Sequence, residues 1–156
     1  MTDETPSAPA HPGMVPPGTV TVETGSGRYV QRVHTASHDA LADEPKDVGG
    51  DDLGLSPYDH LLAALGACTN MTLQMYAERK GWPLESVATR LTHTREHIRD
   101  CEDCEAEGRK LDVLTRAITL TGPLSDAQTE KLMEIADKCP VHRTLTGRIE
   151  VRTTRG

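Results

Sequence analysis

Between Ser56 and Gly81 the chain carries one uninterrupted helical pattern, and any fold must be built around it. Ser56 is a candidate N-cap, Pro57 suits the first helical position, and Asp59, three residues after Ser56, completes a variant capping box. Tyr58, Leu61, Leu62, Leu65, Cys68, Thr72, Met75 and Tyr76 then recur at helical spacing. Gly81 followed by Trp82-Pro83 is a stop signal. The spacing predicts a helix of roughly 24 residues and about 36 Å, about twice the usual length. In a chain of 156 residues, enough for one domain, such a helix is central and other elements wrap around it. Ala63, Ala64, Gly66 and Ala67 line its middle and admit a second backbone at close range.

The flanking segments favour strands in pairs. Thr19–Thr24 alternates β-branched residues, Gly25-Ser26-Gly27 is a turn, and Arg28–Thr35 is the return strand of a hairpin. Ser37 to Leu55 is polar, broken by Pro45 and Gly49-Gly50, and reads as loop. Val87–Arg95 pairs with Leu111–Thr121, where a slip in apolar phase at Val113-Leu114 suggests a bulge. Ser125 and Gln128 form a second capping box ahead of a helix over Asp126–Lys138. That helix buries Leu132, Ile135, Ala136 and Cys139 until Pro140 ends or kinks it. Arg148–Arg152 closes the chain as an alternating strand. The order is β-β-α-β-β-α-β, an α+β arrangement of antiparallel sheet and helices. Residues 1–18, with five prolines, read as a disordered leader before a single domain over 19–156.

Charge and aromatic content exclude several classes. Seventeen Lys+Arg against 24 Asp+Glu leave a net charge of −7, which repels phosphate backbones, so no nucleic-acid partner is expected. Aromatics are 3% and Phe is absent, leaving no stacking platforms for unpaired bases. No apolar run approaches 18 residues, so no membrane span is expected. The N-terminus lacks the apolar stretch of a signal peptide, so a cytoplasmic location is expected. No organic cofactor is expected.

Four cysteines in such a protein point to catalysis or metal rather than to a disulfide framework. Cys68 and Cys139 both fall on apolar helix faces. They are either packed as small hydrophobes or act as a dithiol pair in which one thiolate attacks and the other resolves. His142, three residues beyond Cys139, is a weaker candidate partner for that thiol. The second constellation is His93-x3-His97-x3-Cys101-x2-Cys104. Its composition suits a structural zinc, with a second redox dithiol or a solvated turn as the other readings. If Val87–His97 is all strand, His93 and His97 stand about 13 Å apart, so the site requires the strand to turn near Arg95 or only His97 to join the two thiols.

The stretch Ser56–Met71 (SPYDHLLAALGACTNM) resembles the cysteine-bearing central helix of the OsmC/Ohr family, osmotically inducible protein C and organic hydroperoxide resistance protein. Ile135–Leu145 (IADKCPVHRTL) is similar to that family's second cysteine segment, and the elements between follow the same order. The resemblance covers roughly Val20 to Thr153 and implies an OsmC-like fold in an intertwined homodimer. It implies thiol-dependent reduction of a small organic hydroperoxide, with Cys68 as the peroxidatic nucleophile, Cys139 as the resolving thiol, and an external dithiol as reductant. The family's activating arginine comes from the N-terminal strands, which makes Arg32 the candidate and Arg28 its alternative. The carboxylate that orients it maps to Asp59, where peroxidase members carry glutamate one or two residues after the proline. Two other classes stay open: a non-catalytic module binding a small hydrophobic ligand, and a metal-linked redox sensor built on His97, Cys101 and Cys104.

Overall fold

The computed structural model describes residues 15–97 and 110–155. Most of the expected leader and the Cys101-x-x-Cys104 pair therefore lie outside the described residues. The chain divides into two compact units, Met1–Pro57 and Tyr58–Gly156.

The first unit is an antiparallel meander of three strands, β1 (Thr21–Thr24), β2 (Gln31–His34) and β3 (Asp39–Ala42), in that order. The expected hairpin is present, with Val22 opposite Val33. β3 was expected as loop: it adds a third strand by pairing Arg32 with Leu41 and Gln31 with Ala42. The segment beyond β3 is organised by one carboxylate. Asp43 is buried, and its two oxygens accept from the backbone N–H groups of Glu44 (2.8 Å), Asp51 (3.0 Å) and Leu53 (3.2 Å). These bonds fold Asp43–Leu53 back so tightly that a Cβ at Gly50 would lie 1.8 Å from the Glu44 carbonyl oxygen.

The second unit is built on α1 (Pro57–Lys80), 24 residues long and ending before Gly81, whose φ of 63° only glycine adopts without strain. β4 (Ser86–His97) and β5 (Lys110–Thr121) form a two-stranded antiparallel sheet. Its register runs unbroken from Ser86 opposite Thr121 to His97 opposite Lys110. The bulge expected at Val113-Leu114 is absent. Leu114, Arg116, Ile118 and Leu120 keep strict alternation on the more buried face, and the apparent slip came from an arginine in an apolar slot. α2 spans Asp126–Ala136, opened by the expected Ser125/Gln128 capping box. A short third helix, α3 (Pro140–Thr146), follows at once with Pro140 at its first position. The expected strand at Arg148–Arg152 does not form; Ile149 and Val151 are exposed.

Leu73, Ala77, Leu132, Ile135 and Ala136 form the buried core where α1 meets α2, covered by Trp82, Ile118 and Leu120 among others. Fully burying each leucine stabilises the fold by about 1.5–3 kcal/mol. The buried stripe of α1 is Leu65, Thr69, Leu73 and Ala77, with Gly66 beside it. It lies one residue over from the stripe expected through Cys68, Thr72 and Met75. Cys68 is thus half-buried at the edge of the packed face, and Met75 is exposed. A Cβ at Gly66 would lie 2.8 Å from Leu91 Cδ1, so glycine lets α1 settle closely on β4. Asn70 fastens the same contact, donating to the Val87 carbonyl at 3.3 Å and accepting from the Thr89 hydroxyl. Among the described residues no helix is long and apolar enough to cross a membrane.

Burial pushes the Asp43 carboxyl up, but the amides of Leu53, Glu44, Asp51 and Asp52 outweigh it and hold it below its ordinary value of 3.8. A carboxyl lowered in the folded state contributes stability that is complete above the unfolded value and is lost as pH falls through the folded one. Asp43→Asn should therefore lower the melting temperature at neutral pH. The gap to wild type should close as pH drops below about 4, which thermal unfolding followed across pH will read. A constant gap across pH would contradict this role.

Candidate functional site

Cys139 is held where α2 gives way to α3. Its side chain is completely buried, and its backbone is extended (φ −62°, ψ 141°), so it caps α3 instead of ending α2. The Cys139 Sγ accepts from the His142 backbone N–H at 3.3 Å, as a serine oxygen would at an N-cap. The His142 ring takes another direction, with Nδ1 3.9 Å from Asp137 Oδ1. A Cys139–His142 ring pair is therefore not what caps the sulfur.

From α1, Thr69 reaches the same sulfur: its Oγ1 lies 3.7 Å from Cys139 Sγ. Thr69 is fully buried, donates its hydroxyl to the Leu65 carbonyl at 2.7 Å, and immediately follows Cys68. The turn of α1 that carries Cys68 is thus packed against Cys139. Neither cysteine is in a disulfide.

A third element closes the site from β5. The Arg116 side chain, only 11% exposed, donates through Nη1 to Thr69 Oγ1 (2.8 Å) and to the Ala136 carbonyl (3.2 Å). Its Nη2 meets Asp137 Oδ1 at 2.7 Å. One guanidinium therefore joins α1, β5 and the α2–α3 junction around Cys139. Sequence reasoning looked for the site's arginine in the N-terminal strands and missed this one. The available signal was an arginine inside the Leu114–Ile118–Leu120 alternation, since a charge is seldom placed on a buried face without a partner.

The other expected residues fall elsewhere. Arg32 lies on β2 in the first unit, opposite Glu23 and Leu41, and the Arg28 guanidinium stacks over Tyr29 at 5.1 Å. Asp59 is in the first turn of α1. Of the expected zinc ligands, Cys101 and Cys104 are outside the described residues and His97 is placed only by its position on β4. Among the described residues no group of three or more His, Cys, Asp or Glu is placed to hold a metal ion.

His93 lines a cavity of about 390 Å³, walled by Leu61, Leu65, Leu114 and Leu145 together with Tyr58 and Asp112. Its Nε2 is 2.7 Å from Asp112 Oδ1, and its ring stacks on Tyr58 with centroids 4.3 Å apart and planes 7° from parallel. Arg95 ties two of these residues together, donating through Nε to Asp112 at 3.1 Å and through Nη2 to the Tyr58 hydroxyl at 3.2 Å. The His93 hydrogen bond first, then that of Arg95, holds the Asp112 carboxyl below the usual carboxylate range. The Arg95 guanidinium is in turn raised by Tyr58 and then by Asp112. An ionised Asp112 can only accept, so neutral His93 must carry its proton on Nε2 and present Nδ1 as a lone pair. Leu65 is both a wall of this cavity and the residue whose carbonyl Thr69 binds, so the apolar space adjoins the turn that meets Cys139. Nitrogen chemical shifts of the neutral form of His93 should report the Nε2–H tautomer. Asp112→Ala should release it to a mixture; the same single tautomer in that variant would contradict the assignment.

A family model described as OsmC-like protein matches residues 49–154. Among solved structures, the chain is similar to an OsmC like protein from Mycoplasma pneumoniae, at 20% identity and a TM-score of 0.64 over 83% of this chain and 86% of that one. It is similar to an organic hydroperoxide resistance protein OsmC from Legionella pneumophila, at 18% identity and a TM-score of 0.60 over 83% and 90%. An organic hydroperoxide resistance protein from Elizabethkingia anophelis, solved with crystallant-derived thiocyanate bound, gives 18% identity and 0.60 over 85% and 91%. At these identities the likeness is one of fold. No curated protein matches the chain.

Proposed function

The chain belongs to the OsmC-like protein family, and on that footing we propose that it is a thiol-dependent peroxidase, reducing small organic hydroperoxides in oxidative-stress defence through Cys68 and Cys139. One observation carries the reading: the turn of α1 bearing Cys68 is packed, through Thr69, against the sulfur of Cys139. Two cysteines 71 positions apart in sequence are thereby brought onto neighbouring turns of structure.

In the first step the Cys68 thiolate attacks the distal peroxide oxygen. The O–O bond breaks, the alkoxide takes up a proton and leaves as alcohol, and Cys68 becomes a sulfenic acid. Cys68 is half-buried at the edge of the packed face, open enough to be reached, whereas Cys139 is fully enclosed, as suits a second-step thiol. Cys139 then displaces the sulfenic oxygen as water and forms the disulfide, which an external dithiol reduces by exchange. Such reductants are maintained in the cytoplasm, where we place the protein. The leucine-walled cavity beside Leu65 has the size and character to take the organic part of the peroxide.

The reduced protein mixed with about one equivalent of cumene hydroperoxide should lose two thiols and yield a Cys68–Cys139 disulfide by peptide mass, and Cys68→Ser should abolish turnover. Survival of all thiols would sink the peroxidase and favour a non-catalytic module binding an apolar ligand in the same cavity. That second reading is supported by Tyr58, which lines the cavity and takes the first of the two positions after the proline at which family peroxidases carry glutamate, leaving only the shorter Asp59 at the second.

We further propose a homodimer. Met71 and Met75 are exposed one turn apart on α1, and Ile149 and Val151 are exposed on a C-terminal segment without strand pairing. Apolar surface of that kind is usually covered by a partner. Light scattering should give twice the chain mass, and Met71→Asp with Met75→Asp should shift it toward the monomer. A monomeric wild type would end the proposal.

A further inference from the structure

We propose that Arg116 and Thr69 form a relay that sets the readiness of Cys139 to close the disulfide, making both positioning residues for the second step. This rests on the peroxidase cycle above and assigns its resolving half to a strand that family resemblance does not point to.

The proton count at Thr69 carries the argument. Its hydroxyl has one hydrogen and two lone pairs. Leu65 O is at 2.7 Å, Arg116 Nη1 at 2.8 Å and Cys139 Sγ at 3.7 Å. The guanidinium can only donate and the Leu65 carbonyl can only accept. With Cys139 as a thiol, Thr69 donates to Leu65 and accepts from both Arg116 and the S–H, and every site on the oxygen is used. When the sulfur loses its proton it can only accept. The hydroxyl then turns its hydrogen to the sulfur, while Arg116 stays on the oxygen and polarises that O–H toward the thiolate. Leu65 O can be released because in a helix it also faces the backbone N–H four residues on.

Among the described residues, Asp137 and His142 are the other charged or titratable groups in contact at this junction, and Glu130 and Glu134 of α2 border the same pocket as Arg116. Asp137 meets Arg116 through Nη2, on the side away from Thr69, and is 68% exposed, so solvent screens its charge. His142 offers Cys139 its backbone N–H. The net effect is one shielded cation acting on the sulfur through one hydroxyl, together with one fixed N–H. In the step itself the thiolate of Cys139 attacks Cys68 Sγ, the S–S bond forms and the S–O bond breaks. Hydroxide departs and takes up the proton that Cys139 gave, leaving as water.

The test separates the two half-reactions by rapid mixing, trapping the Cys68 sulfenic acid with a dimedone-type probe and following the disulfide by quenched peptide mass. Thr69→Val and Arg116→Met should each slow disulfide formation by about tenfold or more, the scale of one charge-assisted hydrogen bond, with sulfenic acid formation little changed. Thr69→Ser, which restores the hydroxyl, should recover the wild-type rate. The double variant should be no slower than the worse single one, because both act through one path. Unchanged disulfide rates in Thr69→Val overturn the relay and leave the peroxidase standing, and that variant decides the matter if Arg116→Met does not fold. Equal slowing of both half-reactions also overturns it, because a general loss of packing acts on both. A wild type that forms no Cys68–Cys139 disulfide overturns the peroxidase reading and the relay with it.

Discussion

The second unit turns on the placement of one guanidinium. A charge in the inward phase of a strand costs several kcal/mol if unpaired, so Arg116 dictates what its neighbours must supply. The Asp137 ion pair is too exposed to offset that cost, because pairs of this kind contribute about 0–1 kcal/mol. The two interior acceptors, Thr69 Oγ1 and Ala136 O, must do most of it. That requirement fixes the rotation of α1, which has to present Thr69 inward, and the end of α2, where Pro140 has no N–H to give the Ala136 carbonyl and only the longer Cys139 N–H bond at 3.3 Å shares it with Arg116. Cys139 sits at the place both demands leave for it, and Cys68 is turned to the rim as a consequence.

Much of this architecture was legible beforehand because it follows from short-range rules. α1 begins and ends at its proline and glycine, and α2 opens at its capping box. The paired strands β4 and β5 follow their alternation. Where pairing decides, local pattern failed in both directions. Asp39–Ala42 has one large apolar residue and became a strand because β2 offered an edge beside it. Arg148–Arg152 alternates well and did not, because a strand exists only against a partner.

For the site, sequence located the cysteines but not their setting. A pattern cannot tell that Thr69, and not Cys68, centres the buried face, since the two differ by only 100° around the helix. Nor does the expected set of histidines and cysteines reveal that His93 has its own carboxylate on the facing strand. Asp112 lies 19 residues away, and only the hairpin register brings them together. Pro140 was ambiguous in sequence between a kink and a stop. The structure makes it a stop and a fresh start, and that is what turns Cys139 from a core residue into a cap.

That change of role makes Cys139 a shared atom. The sulfur proposed to attack Cys68 is the same acceptor that holds the first turn of α3, a helix of seven residues with little else to nucleate it. Genetics at this position is therefore confounded in a definable way. Alanine deletes the thiol and the cap together, whereas serine deletes the thiol and keeps an oxygen suited to capping. A gap in abundance between those two alleles would measure what α3 contributes to the protein's survival, separately from anything the thiol does.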